Sequence, residues 1–283
     1  MSTSLPTKSV SVKQGAIDWE TLSFRVLIAL GAAIAMLFLT LPTIVVLVAS
    51  FSSGETLKFP PPGFSLRWYA SLINFPEIHE AAWNSFLLAS LTTLVCVTLG
   101  VAVSLPLTRS RSRWIQAVDA LVMSPLVLPG LAVGLALLLF FNLIGWQLSL
   151  TTLMISHVVI CAPYVVRTTA ASLSQIGGSL SEASTSLGAN PFYTFWHVTF
   201  PLAQRGIIAG AFITFLTSFD NLTVSLFLSD ARTAVLPIRM WSMIENNLDV
   251  RTAAISGVLI IITAILMILM ERFAGLSQFV MKK

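Results

Sequence analysis

The sequence predicts an all-α integral membrane protein, a six-transmembrane-helix bundle with N- and C-termini cytoplasmic. Three observations lead there. Charged residues are only 10% of the 283-residue chain and apolar residues 56%, against roughly 25% charged in soluble domains, so lipid must solvate much of the apolar surface. The charges are gathered between long charge-free runs, several of them reaching the ~20 residues a helix needs to cross hydrocarbon. Lys and Arg are also distributed unequally between alternate sides. With the N-terminus inside, the inner face holds 11 (Lys8, Lys13, Arg25, Arg109, Arg111, Arg113, Arg167, Arg205, Arg272, Lys282, Lys283) and the outer face 5 (Lys58, Arg67, Arg232, Arg239, Arg251). Excess cytosolic basic charge orients membrane proteins, and it accounts for the net charge of +4 without a nucleic-acid partner.

The first span is Val26–Ser50, too long for a signal peptide and without a small-x-small cleavage site after it. Residues 51–80, with Gly54, Pro60–Pro62, Trp68 and Tyr69, read as a loop with a short interfacial helix. Ala81–Leu107 is the second span. The charge-free stretch from Ala120 through Val166 holds two more, Leu121–Phe141 and Leu148–Val166, separated by Asn142–Ser149. Pro125 and Pro129 predict kinks in the third span, because proline cannot donate to the helical ladder. Span five runs from about Gly206 to Ser229 and carries one acid, Asp220; span six is Ala253–Met270. The expected layout is a cytoplasmic tail 1–24, a transmembrane domain 25–272 with a cytosolic loop 171–205, and a cytoplasmic tail 273–283.

Cys96 and Cys161 sit inside apolar runs with no accompanying Cys/His cluster, so they read as small buried apolar residues. His79, His157 and His197 are scattered without ligand spacing. Trp68, Tyr69, Trp83 and Trp146 read as interface anchors. The Arg109, Arg111 and Arg113 triplet reads as a topology signal that meets anionic lipid, with docking as the alternative.

The loop between spans four and five is the most informative segment. Ser179 and Glu182 have capping-box spacing. Leu180, Ala183 and Leu187 share a helical face. Gly188 suits a left-handed cap, and Asn190–Pro191 restarts a helix with proline at its first position. Phe192, Tyr193, Phe195 and Trp196 follow, and Pro201 marks the start of span five. An exposed aromatic knob lies on lipid, packs on its own bundle, or docks a partner.

Glu182-Ala183-Ser184, three residues, Gly188, nine residues, then Val198-Thr199-Phe200-Pro201 resembles the E-A-A-x3-G-x9-I-x-L-P loop of ABC importer permeases. The chain departs from that pattern at Ser184, Val198 and Phe200. The resemblance extends over about residues 24–272 and is closest to the second permease of the spermidine/putrescine importer subfamily, on Ser218-Phe219-Asp220-Asn221, Val224–Leu228, Leu236-Pro237 and Trp241-Ser242-Met243. It implies that this loop, through Glu182, Ala183, Ser184, Gly188 and Pro201, couples the bundle to a separate ABC ATPase dimer. It implies a second permease subunit, a periplasmic solute-binding protein, a bacterial inner-membrane location with lipid around the bundle, and a polyamine as solute. Relatives in the wider group import iron, thiamine, phosphonates and other small solutes. No cofactor is expected in this chain: ATP and magnesium belong to the partner ATPase, and no G-x-x-x-x-G-K-[ST] loop occurs here.

An acid within a span is expensive and faces a cavity, a bundle interior or a partner charge. Asp220 therefore reads in three ways: an attractor for the ammonium groups of a passing polyamine, with Phe219 offering a cation–π face; a helix-packing acid paired with an arginine of the second permease; or a wet residue near the outer interface. Glu245 and Asp249 are either contacts for the binding protein or a solvated loop. Membrane-enzyme signatures such as H-E-x-x-H, or G-x-S-x-G with a His partner, do not occur. One intramembrane acid and no duplicated half argue against a stand-alone channel or secondary carrier.

Overall fold

The computed structural model describes residues 19–110, 112–176, 179–230, 232–246 and 249–274. Lys8, Lys13, Arg111, Lys282 and Lys283, with most of the two tails, lie outside the described residues. Five helical runs are long and apolar enough to cross a membrane: Ser23–Ser50 within α1 (Trp19–Ser50), α3 (Pro76–Arg109), Leu150–Gln175 within α6 (Leu150–Ile176), Pro191–Phe219, and Val250–Arg272 within α12 (Val250–Ala274). A sixth span exists if the bent pair α4 (Arg113–Val127) and α5 (Gly130–Leu143) counts as one. The remaining helices are short: α2 (Arg67–Leu72), α7 (Ser179–Ser186), α8 (Pro191–Thr194), α10 (Ser225–Leu228) and α11 (Leu236–Asn246), with α9 covering Phe200–Phe219. Two isolated bridges, Ser52 with Phe64 and Thr56 with Asp249, are the only β pairing among the described residues.

The third span departs from the expected kink. The chain bends by 112° between the two halves of this span. Leu128, caught between Pro125 and Pro129, is extended (φ −82°, ψ 144°), which is where the residue before a proline is driven. Pro129 then caps α5 (φ −58°, ψ 129°), so the chain turns instead of bending. Span five also departs: α9 ends at Phe219, and the chain is non-helical until Ser225.

The centre of the fold is the triple packing of α3, α6 and α9. In lipid, helices associate through close packing of small residues and interhelical hydrogen bonds. Gly210 of α9 lies so close to α6 that an added Cβ would reach Val165 Cα at 2.9 Å and collide with Thr168 Oγ1. Ser104 Oγ of α3 donates to the Val166 carbonyl at 3.1 Å. The apolar core Leu88, Phe141, Leu153, Val224, Leu228 and Val235 joins α3, α5, α6, α10 and the loop before α11. Cys96 and Cys161 are buried, free, and share a cluster with Val165. By contrast α1 touches α12 chiefly, and its residues from Ser23 to Ile44 are exposed.

Candidate functional site

At one end of α9 is the loop singled out in the sequence. α7 begins at Ser179, and Gly188 adopts the left-handed conformation (φ +87°). The Gly188 amide donates to the Thr185 carbonyl at 3.0 Å and the Ala189 amide to the Ser184 carbonyl at 3.1 Å, a Schellman closure in which glycine avoids a Cβ clash. Asn190 Oδ1 accepts from the Tyr193 amide at 2.7 Å, capping α8 with Pro191 at its first position. Ser184, the departure from alanine, has a partner: its hydroxyl lies 2.9 Å from that of buried Thr194 and staples α7 to α8. Arg109 Nη2 donates to Ser181 Oγ at 3.2 Å, tying the end of α3 to α7.

The second aromatic helix is not separate. α8 passes through a π-helical turn, Phe195–Thr199, directly into α9. The Phe200 amide donates to the Phe195 carbonyl, five residues back. A proline inside a helix clashes with the carbonyl four residues earlier, and this wider turn sits just ahead of Pro201. Glu182, Ala183, Gly188 and Pro201 are exposed, as are Leu187 (89%), Phe192 (73%) and Trp196. No other segment of the described chain covers this apolar knob.

At the other end of α9, Asp220 is its C-cap (φ −96°, ψ 8°) and is exposed. It opens onto a groove of about 860 Å³ between α9 and α12 that includes Thr217, Phe219, Asn221, Thr263 and Met267. A helix C-terminus carries roughly half a negative charge, so the carboxylate and the helix end together favour a cation. Phe219 stacks on Phe215 at 6.0 Å and separates this groove from a more enclosed, apolar cavity of about 580 Å³. Span five thus brings Asp220 and Phe219 together at one end and the loop residues at the other. It does not bring the two groups into contact.

Beyond Asp220, Asp230 forms a closed turn. Thr233 donates from both hydroxyl (2.7 Å) and amide (2.8 Å) to Asp230 Oδ1, and the Arg232 amide adds a third bond. The Thr233 hydroxyl bond, chiefly, holds the carboxyl below its ordinary range. Among the described residues no group of three or more His, Cys, Asp or Glu is placed to hold a metal.

Residues 96–278 match the family described as binding-protein-dependent transport system inner membrane component. The chain belongs to that family. It is a multi-pass permease subunit of the bacterial inner membrane, a component of an ABC importer and not an enzyme. It is similar to the spermidine/putrescine transport system permease protein PotC of Escherichia coli K12, 27% identical over 237 residues, covering 84% of this chain and 89% of that one. The putrescine transport system permease protein PotI of the same strain is 28% identical over 230 residues, covering 79% and 82%. In fold the permease resembles a chain of a bacterial ABC transporter that imports the acidic polysaccharide alginate, with TM-score 0.67 and 14% identity over 93% of this chain and 99% of that one.

Sequence reasoning missed the hydroxyl staple at Ser184, the Arg109–Ser181 tie and the π turn. It also missed His157, which is fully buried with both ring nitrogens hydrogen-bonded. Its partners Ser218 and Ser225 flank Asp220, but their separation from His157 along the chain leaves no local spacing to find.

Proposed function

We propose that this permease forms one half of the translocation path for a polyamine such as putrescine or spermidine. The observation that carries the reading is the Asp220 carboxylate at the C-terminal end of α9, facing a groove with polar and apolar walls. Fixed partial negative charge beside a carboxylate suits an ammonium group, the apolar wall suits the methylenes between ammoniums, and Phe219 adds an aromatic face. The similarity to two polyamine permeases supports the same solute.

In this reading the bent pair α4–α5 is one span, six in all, and both termini are cytosolic, in keeping with the 11-to-5 distribution of basic residues. Residues 25–272 form the transmembrane domain, flanked by the tails 1–24 and 273–283. The loop through Glu182, Ala183, Ser184, Gly188 and Pro201 docks on a separate ATPase dimer, which holds the ATP and magnesium. A second permease chain completes the path and covers α1. A periplasmic binding protein delivers the solute from outside. Nucleotide-driven closure of the ATPases biases the bundle between inward and outward states.

The test begins with the cognate binding protein, titrated calorimetrically with putrescine, spermidine and an anionic solute. Polyamine binding supports the assignment, and selective binding of the anion overturns it. Asp220→Asn, at unchanged membrane level and unchanged ATPase binding, should then cut polyamine uptake about tenfold, the order of one charge-assisted hydrogen bond. Unchanged uptake removes Asp220 from the path.

A further inference from the structure

Span five is interrupted between Phe219 and Ser225, where Asp220 and Asn221 are displayed. Such an interruption keeps its shape only where surrounding groups hold both of its ends. Here one side chain holds them. His157 of α6 places Nδ1 2.8 Å from Ser218 Oγ, two residues before Asp220, and Nε2 3.0 Å from Ser225 Oγ, five residues after it. All three residues are buried. A neutral imidazole carries one N–H and one lone pair on opposite ring nitrogens, so either tautomer donates to one hydroxyl and accepts from the other.

The rest of the interruption is braced from within and from α5. Asn221 Oδ1 accepts from the Val224 amide at 2.9 Å. Gly130 and Gly134 face Thr223, Val224 and Phe227 so closely that a Cβ on Gly130 would lie 2.9 Å from Thr223 Oγ1, and one on Gly134 3.3 Å from Val224 Cα. The break in span five is therefore seated on the second half of the broken third span and pinned to α6 by His157.

We infer that His157 is a positioning residue for solute passage: with Ser218 and Ser225 it clamps the 219–225 interruption and so fixes where the Asp220 carboxylate stands. This rests on the reading of Asp220 as a path residue. It assigns to His157 a role separate from general packing, because the clamp acts on the two ends of the segment that carries the acid.

The test reads position directly. In the full transporter, with Cys96 and Cys161 replaced by Ala, Asp220→Cys is modified with the cationic thiol reagent 2-aminoethyl methanethiosulfonate. His157→Ala should change the modification rate at position 220 about tenfold, the order expected from losing two buried hydrogen bonds. His157→Gln, which keeps a donor and an acceptor, should restore most of the original rate, and a distant reporter, Phe64→Cys, should not respond. An unchanged rate at 220 overturns the clamp. If His157→Ala does not reach the membrane, Ser225→Ala is read in the same way. Putrescine uptake gives the second readout: His157→Ala should lower it in the native chain and add no further loss to Asp220→Asn, whereas additive losses overturn the inference. If uptake is indifferent to Asp220→Asn while reactivity at 220 still responds to His157→Ala, the path assignment falls and the clamp stands.

Discussion

Gly188 permits a quantitative test of whether the knob around residues 179–201 works by its shape. Its φ of +87° is a left-handed conformation, and nothing lies within 4 Å of where a Cβ would be built. Gly188→Ala therefore adds no collision and removes no contact; the whole cost is the backbone penalty of an L-residue in that region, about 1–2 kcal/mol. If the loop relaxes away from its docked shape when free, that penalty reappears when the ATPase binds, because apparent affinity scales with the fraction of competent conformer. The expected result is about 5- to 30-fold weaker binding. Membrane vesicles carrying the permease pair, titrated with purified ATPase, measure this, and solute uptake should fall in parallel. Gly145 supplies the control: its φ is +73° with equally open surroundings, but it lies in the turn between α5 and α6. Gly145→Ala carries the same backbone cost and should leave ATPase binding unchanged. Equal effects from the two substitutions, or native affinity in Gly188→Ala, would refute the link between the glycine cap and docking.

Two further expectations come from other parts of the fold. Gly210→Ala drives a Cβ to 2.9 Å from Val165 Cα, so α6 and α9 must separate; overpacking of this kind costs about 1–3 kcal/mol and should appear as a lowered thermal midpoint in detergent. The Asp230 turn should be acid-sensitive. Its folded carboxyl value is depressed by Thr233, so its contribution is complete above the unfolded value of about 3.9 and is lost as pH falls through the lower folded value. Amide protection at Arg232 and Thr233, taken relative to the intrinsic exchange rate at each pH, should hold from neutrality to about pH 4 and fall below that, and Asp230→Asn should remove this change in protection.

The membrane class was legible because it depends on quantities that local sequence carries: charge-free length, basic asymmetry and turn residues. Gly188 and Pro191 likewise announced their places, since left-handed backbone and a missing N–H are properties of single residues. Pro125 and Pro129 announced a disturbance but not its size. The 112° turn arises because Leu128 lies next to a proline while α5 finds a seat against α10, and the second condition is tertiary. The sequence places Asp220 inside one continuous span, because Asp220-Asn221 is a short turn signal within an otherwise uncharged run. The helix stops where His157, sixty-odd positions away, and Gly134 accept the departing chain. Ser184 looked like a modest departure from alanine because its partner Thr194 lies across a turn.

The two proposed working parts sit at opposite ends of a single helical run. From Pro191 to Phe219 the chain is helical without a gap, 29 residues that include the π turn, or roughly 43 Å at 1.5 Å per residue. A displacement imposed on the knob by an ATPase need not pass through a chain of side chains to reach Asp220; it travels along one rod. Toward the knob, the rod approaches α6 through Gly206 and Gly210 against Thr168 and Ser172, a close contact of small residues. Two sets of hydrogen bonds to α6 resist the shift: Thr214 Oγ1 to the Cys161 carbonyl at 3.4 Å, partway along the rod, and the His157 clamp on Ser218 and Ser225 at its far end. Movement of α9 relative to α6 must therefore either carry the clamp with it or strain it, and in both cases the segment that answers is the one bearing Asp220. A loop at one end of the rod can in this way act on a carboxylate at the other end without contacting it, provided that the π turn at Phe195–Thr199 transmits displacement and does not absorb it.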